Sequence, residues 1–219
     1  VPCALIGGEM AEMPGMYSQE EYDVAGTIVG VVDRDKIVDG STVNEGDVII
    51  GLRSSGLHTN GYSLARKICF EVAGLGLDDA MPGTGRTVCE ALMEPHRCYA
   101  ALIQIVSRIV TIKAMAHITG GGITDNLPRS LPAGHGAEVD LSTWRAPGLF
   151  SFLRNTGNVA ESEMLRTFNC GVGYMIIVPE KHKDKALDAI EQAAEAGTVI
   201  GRVIKGERKV FYKGTLEYE

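Results

Sequence analysis

Short uninterrupted apolar runs alternate along the chain with stretches whose apolar residues recur every three or four positions. Glycine-rich polar loops separate the two kinds. The runs VAGTIVGVV (24–32), DVIIGL (47–52), AMAHI (114–118), GYMIIV (173–178), VIGRVI (199–204) and KVFY (209–212) are rich in β-branched residues and predict strands. Leu64, Ile68 and Val72, at four-residue spacing, predict a helix stopped by Gly74. Pro95 opens a second helix with the stripe Leu102, Ile103, Val106 and Ile109. Further helices are predicted over 124–131, with Pro128 in the first turn, over 147–155, closed by Gly157, and over 183–196, with Leu187, Ile190 and Ala194 inward. Alternating strands and helices indicate a layered α/β (α+β) domain. The polar, turn-rich stretch 33–46 divides a short unit, 1–32, from a main domain, 33–219. The opening VPCALIGG reads as the middle of a strand and its turn, as though more chain preceded it.

Composition narrows the partners. The chain has 219 residues, 45% of them hydrophobic, enough to fill a sizeable core. A net charge of −7 without a basic run argues against nucleic acid or an anionic membrane as partner, yet leaves room for a small phosphorylated substrate. Five cysteines without a C-x-x-C pair fit a reducing, cytoplasmic setting and exclude a disulfide framework. The most apolar stretch, 102–118, is broken by Gln104, Ser107, Arg108 and Lys113, so no bilayer-spanning helix is expected.

Two strand–glycine loop–helix units carry the candidate chemistry. Loop glycines let backbone N–H groups turn inward, and a helix N-terminus adds partial positive charge, which together suit phosphate. The first loop offers Ser54, Ser55, Gly56, His58, Thr59, Asn60 and Gly61. The second offers Thr119, Gly120, Gly121 and Gly122, followed by Asp125 and Asn126. No lysine follows either set of glycines at the P-loop position. Glu9, after Gly7 and Gly8, is a candidate Mg²⁺ ligand; the alternative is a solvated loop acid. His117 is either a catalytic candidate or a hydrogen-bonded core histidine. Cys170 lacks an identifiable base and reads as a packing residue rather than a nucleophile. Arg97, Arg129 and Arg166 are candidate phosphate clamps, or surface ion pairs.

Five segments in order, GGEMAEMPGMY (7–17), YDVAG (22–26), SSGLHTNGYSLARKI (54–68), HITGGGITDNLPRSLP (117–132) and RTFNCGVG (166–173), closely resemble the aminoimidazole ribonucleotide (AIR) synthetases, the phosphoribosylformylglycinamidine cyclo-ligases of purine biosynthesis. The resemblance implies a ligase that binds ATP with Mg²⁺ and closes the imidazole ring of formylglycinamidine ribonucleotide. It also implies a homodimer paired through N-terminal barrel domains. Most of that N-terminal domain, with its ATP-handling Asp/Lys segment, is expected to lie outside this chain. Residues 1–32 would be the domain's last piece, and the isolated chain would be inactive. Stripped of barrel partners, the strand at 22–32 is expected to self-associate or to lose its strand form. His117 and Asp125 are the catalytic candidates within the chain.

Several positions depart from the family pattern. Met10 stands for Thr beside Glu9, Thr59 for Ser, His96 for Thr and Asp125 for Glu. Sibling ATP-dependent enzymes of the superfamily, and a non-catalytic phosphate-binding fragment, remain the alternatives.

Overall fold

The computed structural model describes residues 3–219, which form two units, one ending at Ile37 and one running Val38–Glu219. In the first unit the only helical element is a single 3₁₀ turn, Arg34–Lys36, among the described residues. The expected strand at 24–32 does not form. Val24, Ile28, Val29 and Val31 are each more than two-thirds exposed. β-branched residues favour an extended backbone, but a strand also needs a neighbour for its N–H and C=O groups. The predicted opening strand begins on Val1 and Pro2, outside the described residues, and 3–8 adopt no regular structure.

The second unit is built on a six-stranded sheet of order β4-β7-β1-β8-β5-β9. Its strands are β1 (Val48–Arg53), β4 (Ala114–His117), β5 (His135–Asp140), β7 (Val172–Val178), β8 (Gly197–Lys205) and β9 (Val210–Lys213). All neighbours are antiparallel except β5 and β9. Two small pairs complete the strands: β2 (Ala80–Met81) with β3 (Arg86–Thr87), and β6 (Arg145–Ala146) with β10 (Glu217–Tyr218).

Both faces of the sheet are covered, which is why β1 and β7 read as continuous apolar runs. Val48, Ile50, Leu52, Ile176 and Val178 meet helices α3 (Ala100–Ile109) and α7 (Lys183–Gln192) through Leu102, Val106, Ala186, Ala189 and Ile190. Ile49, Met175 and Ile177 point the other way, toward α4 (Gly122–Asn126) and the 3₁₀ turn Leu127–Ser130 that continues it. A third core, around Phe150 and Phe168, joins α1 (Tyr62–Arg66), α2 (Val88–Leu92), α5 (Gly148–Thr156) and α6 (Glu161–Thr167). No helix of the described residues is long and apolar enough to cross a membrane.

Three predicted faces shift in the structure. α1 passes into a π-helical turn, Lys67–Val72, in which Ala73 N–H bonds to the Ile68 carbonyl. That wider turn rotates Val72 out to 55% exposure and buries Ala65, Ile68 and Cys69 instead. Pro95 does not open α3: 94–99 is an irregular segment and the helix begins at Ala100. α7 ends at Gln192, and Ala194, expected inward, lies exposed beyond it with a left-handed backbone.

Candidate functional site

The two glycine loops leave β1 and β4 at the same end of the sheet. Asn60 Oδ1 lies 3.6 Å from where a Cβ on Gly120 would stand, so the loops adjoin. The segment 165–171 packs under both. Gly122, with φ +58°, has no room for a side chain, because a Cβ would overlap the Leu165 carbonyl. Asn169, 2% exposed, fastens the first loop: its amide donates to the Gly56 carbonyl at 2.8 Å. Its side-chain oxygen accepts from the Ser54 hydroxyl at 2.9 Å and from Gly171 N–H at 2.8 Å. Sequence reading assigned Asn169 no role; the signal available was an amide residue beside Cys170-Gly171 in a turn that leads into a strand.

His58 and Thr59 both carry positive φ, 56° and 64°. For a β-branched threonine this is a strained backbone, of the kind that clusters at ligand sites. The Thr59 hydroxyl and the Asn60 amide both donate to the His58 carbonyl, at 2.5 and 2.8 Å, which holds the turn. His58 is 1% exposed, and Ser55 N–H donates to its Nε2 at 2.9 Å. Burial, with the charges of His96, His117 and Arg97 behind it, pushes its pKa down to about 4, so the ring is neutral at pH 7. Ser54, Ser55 and Gly56 open onto a separate cavity of about 290 Å³, shared with Thr84, Arg86 and Gly148.

The second loop is held by Asn126. Its amide donates to the carbonyls of Thr119, Gly120 and Gly122 at 3.3, 3.2 and 2.8 Å, and its oxygen accepts from the Thr119 hydroxyl at 3.0 Å. Asn126 and the Thr119 hydroxyl therefore shape the loop, within which Gly122 N–H donates to the Thr119 carbonyl at 3.0 Å. Asp125 lies 3.6 Å from Arg166 Nε in an exposed pair.

His117 is an exposed residue at the end of β4 and not part of a core. Its Nε2 is 3.1 Å from His96 Nε2. It borders two cavities, one of about 290 Å³ with Asp39, Asn126 and Arg129 and one of about 480 Å³ with His96, Arg97, Tyr99 and Tyr174. Partial loss of hydration beside the neighbouring rings lowers the pKa of His117 and of His96, and for His117 the neighbouring His96 adds to the effect. Arg97 is taken up by an ion pair with Glu195, whereas Arg129 faces the first cavity. Cys170 is wholly buried and its thiol pKa is raised by that burial, which makes it a packing residue.

Glu9 is exposed in the first unit. Among the described residues no three His, Cys, Asp or Glu side chains converge on a point where a metal ion would fit.

Comparison with known proteins adds an independent line. Residues 44–213 match the family described as AIR synthase related protein, C-terminal domain. The phosphoribosylformylglycinamidine cyclo-ligase of Geotalea daltonii is 52% identical over 203 residues, covering 93% of this chain and 58% of that protein. The same-named protein of Geobacter metallireducens is 50% identical over 205 residues, covering 94% and 59%. The chain thus spans less than two-thirds of the length of these curated relatives. Among solved structures, thiamine-monophosphate kinase from Stenotrophomonas maltophilia superposes with a TM-score of 0.59 at 17% identity, over 84% of this chain and 55% of that one. E. coli HypE, a hydrogenase maturation protein, does so with a TM-score of 0.52 at 20% identity, over 80% and 48%. At such identities the likeness is one of fold.

Proposed function

The chain belongs to the AIR synthase related family, and from that premise we propose that it is the C-terminal, substrate-side domain of a phosphoribosylformylglycinamidine cyclo-ligase. The observation that carries this reading is the meeting of the loops 54–61 and 117–126 over the segment 165–171, three stretches that sequence resemblance ties to one enzyme family.

In the whole protein, ATP phosphorylates the amide oxygen of formylglycinamidine ribonucleotide, releasing ADP. An internal nitrogen then attacks the activated carbon, phosphate leaves with that oxygen, a proton is lost, and the imidazole ring is closed. Phosphorylation turns a poor leaving oxygen into a good one, and the work left to the protein is positioning and exclusion of water. The proposed division of labour within this chain follows the geometry. Backbone N–H groups of Gly120 and Gly121, in a loop that Asn126 braces through its carbonyls, hold the ribose phosphate, with Arg129 as a nearby cation. Neutral His117 faces the reacting end as a proton acceptor or donor. ATP and Mg²⁺ are the co-substrate and metal of this reading, with Glu9 the candidate Mg²⁺ ligand within this chain, and the full-length protein works as a homodimer in the cytoplasm.

The test is ADP release coupled to formylglycinamidine ribonucleotide, run on a full-length protein containing this sequence and on the present chain. Substrate-dependent turnover is expected from the first and negligible turnover from the second. A full-length protein that leaves this substrate untouched while phosphorylating another would assign it to a sibling activity.

A further inference from the structure

Five aromatic rings form a closed circuit beside the second glycine loop. His58 stacks on His96 with centroids 4.1 Å apart and planes 16° from parallel. His96 meets His117 at 5.0 Å, His117 meets Tyr174 at 6.0 Å, Tyr174 meets Tyr99 at 5.1 Å, and Tyr99 returns to His58 at 6.0 Å. We propose that His96 is a positioning residue, which fixes the ring plane and the tautomer of His117 where that ring enters the cleft.

The 3.1 Å contact joins Nε2 to Nε2. Between two neutral imidazoles such a bond needs a proton on one Nε2 and a lone pair on the other. The two rings are therefore locked in opposite tautomers, one protonated at Nε2 and the other at Nδ1. A lone imidazole at the exposed end of a strand would have no such constraint and would average between them.

The His96 ring is itself held from behind. The Ser55 hydroxyl donates to the Pro95 carbonyl at 2.8 Å, which fixes the backbone just before His96. Ser55 N–H donates to His58 Nε2, which puts the His58 proton on Nδ1 and sets the flat face on which His96 rests. Tyr99, three residues after His96, donates its hydroxyl to the Arg53 carbonyl at 2.7 Å. Gly173 on β7 leaves the space: a Cβ there would stand 2.7 Å from His58 Nδ1. The first glycine loop thus holds, through Ser55 and His58, the His96 ring that meets a residue bordering the second.

What this fixed tautomer serves rests on the proposed function, but its existence is read without turnover. The experiment is a long-range ¹H–¹⁵N correlation of the histidine rings in this chain, ¹⁵N-labelled at histidine, at pH 7.5 with no ligand. His117 is expected to give a single-tautomer pattern, with widely separated Nδ1 and Nε2 shifts. In His96→Thr the two shifts should draw together toward the tautomer average, and in His96→Gln, whose side-chain amide can reach the same nitrogen, the separation should return. A tautomer-averaged His117 in the unsubstituted chain overturns the proposal before any variant is made. An unchanged His117 pattern in a folded His96→Thr protein overturns it equally. Loss of the cyclo-ligase reading would leave these spectra as they are, so the two can fail separately.

Discussion

Lys113 Nζ sits 2.9 and 2.7 Å from the two carboxylate oxygens of Asp47, and both side chains are almost out of reach of solvent. Asp47 immediately precedes β1 and Lys113 immediately precedes β4, the strands that lead into the two glycine loops. The pair clamps those strands at the end of the sheet away from the loops. Removing one partner of a buried pair leaves a charge uncompensated, so Lys113→Ala is expected to cost about 3–5 kcal/mol. Adding Asp47→Asn should restore part of that loss. Urea denaturation of the two variants measures it, and additive losses would deny the coupling.

The glycines of the second loop are not equivalent, and the difference separates fold from binding. Gly120 has neither a positive φ nor a contact closer than 3.6 Å, so Gly120→Ala is expected to shift stability by less than about 0.5 kcal/mol. A methyl at that spot should still obstruct close approach of a phosphate and weaken ribose 5-phosphate binding in titration calorimetry. Gly122→Ala should instead cost about 1–3 kcal/mol through backbone strain, with further loss from the Leu165 overlap. Gly121 has φ +96° and Asp125 Cβ 2.7 Å from its would-be Cβ. A valine there would report strain rather than ligand contact.

His58 makes the fold sensitive to mild acid. Its folded pKa is lowered from 6.5 to about 4, so the unfolded chain binds the extra proton and the native one does not. Stability is then level above pH 6.5 and falls as the pH drops from about 6.5 toward 4. Partial loss of hydration shifts His96 and His117 the same way, which adds to the slope. Urea midpoints at pH 7.5, 6.0 and 5.0 should decline in that order. A flat profile across those three values would remove the buried neutral histidine from the account.

Thiol labelling gives a simple check on the core. Cys3, Cys89 and Cys98 are exposed, whereas Cys69 and Cys170 are buried with raised thiol pKa values. A native sample should react at those exposed cysteines, and Cys69 and Cys170 should label only after denaturant is added. Rapid native modification of Cys170, mapped by peptide mass, would contradict the packing around Phe168.

The sequence reads well where a single residue pattern decides the outcome. DVIIGL and GYMIIV are buried strands because neither face offers a polar residue a place, and a glycine loop follows the first while Pro179 stops the second. Reading fails where the decision lies elsewhere in the chain. Residues 24–32 have strand propensity, but no strand partner for them is present among the described residues. β5 escaped notice because only Ala137 and Val139 form its apolar side, while Glu138 on the other side pairs with Arg202 and Lys213 from neighbouring strands. Val72 was misplaced by a π-helical turn that four-residue spacing cannot show. At the site, the glycines marked both loops, yet the ring circuit joins residues 58, 96, 99, 117 and 174, whose proximity exists only once β1, β4 and β7 lie side by side.

The strand order has a consequence for how the protein is made. β1 is the first strand of the sheet to leave the ribosome, and both of its neighbours, β7 and β8, are among the last. Until the chain has grown past Val172, the side chains Val48 to Leu52 have no sheet to enter, and their backbone groups remain open to strangers. Long-range pairing of this kind slows folding and lengthens exposure of aggregation-prone edges. Nascent-chain release after β5 but before β7 should therefore yield a species that engages chaperones or precipitates, whereas release after β9 should give soluble protein. The burden of keeping β1 safe falls on the cell during synthesis and disappears once the sheet closes around it.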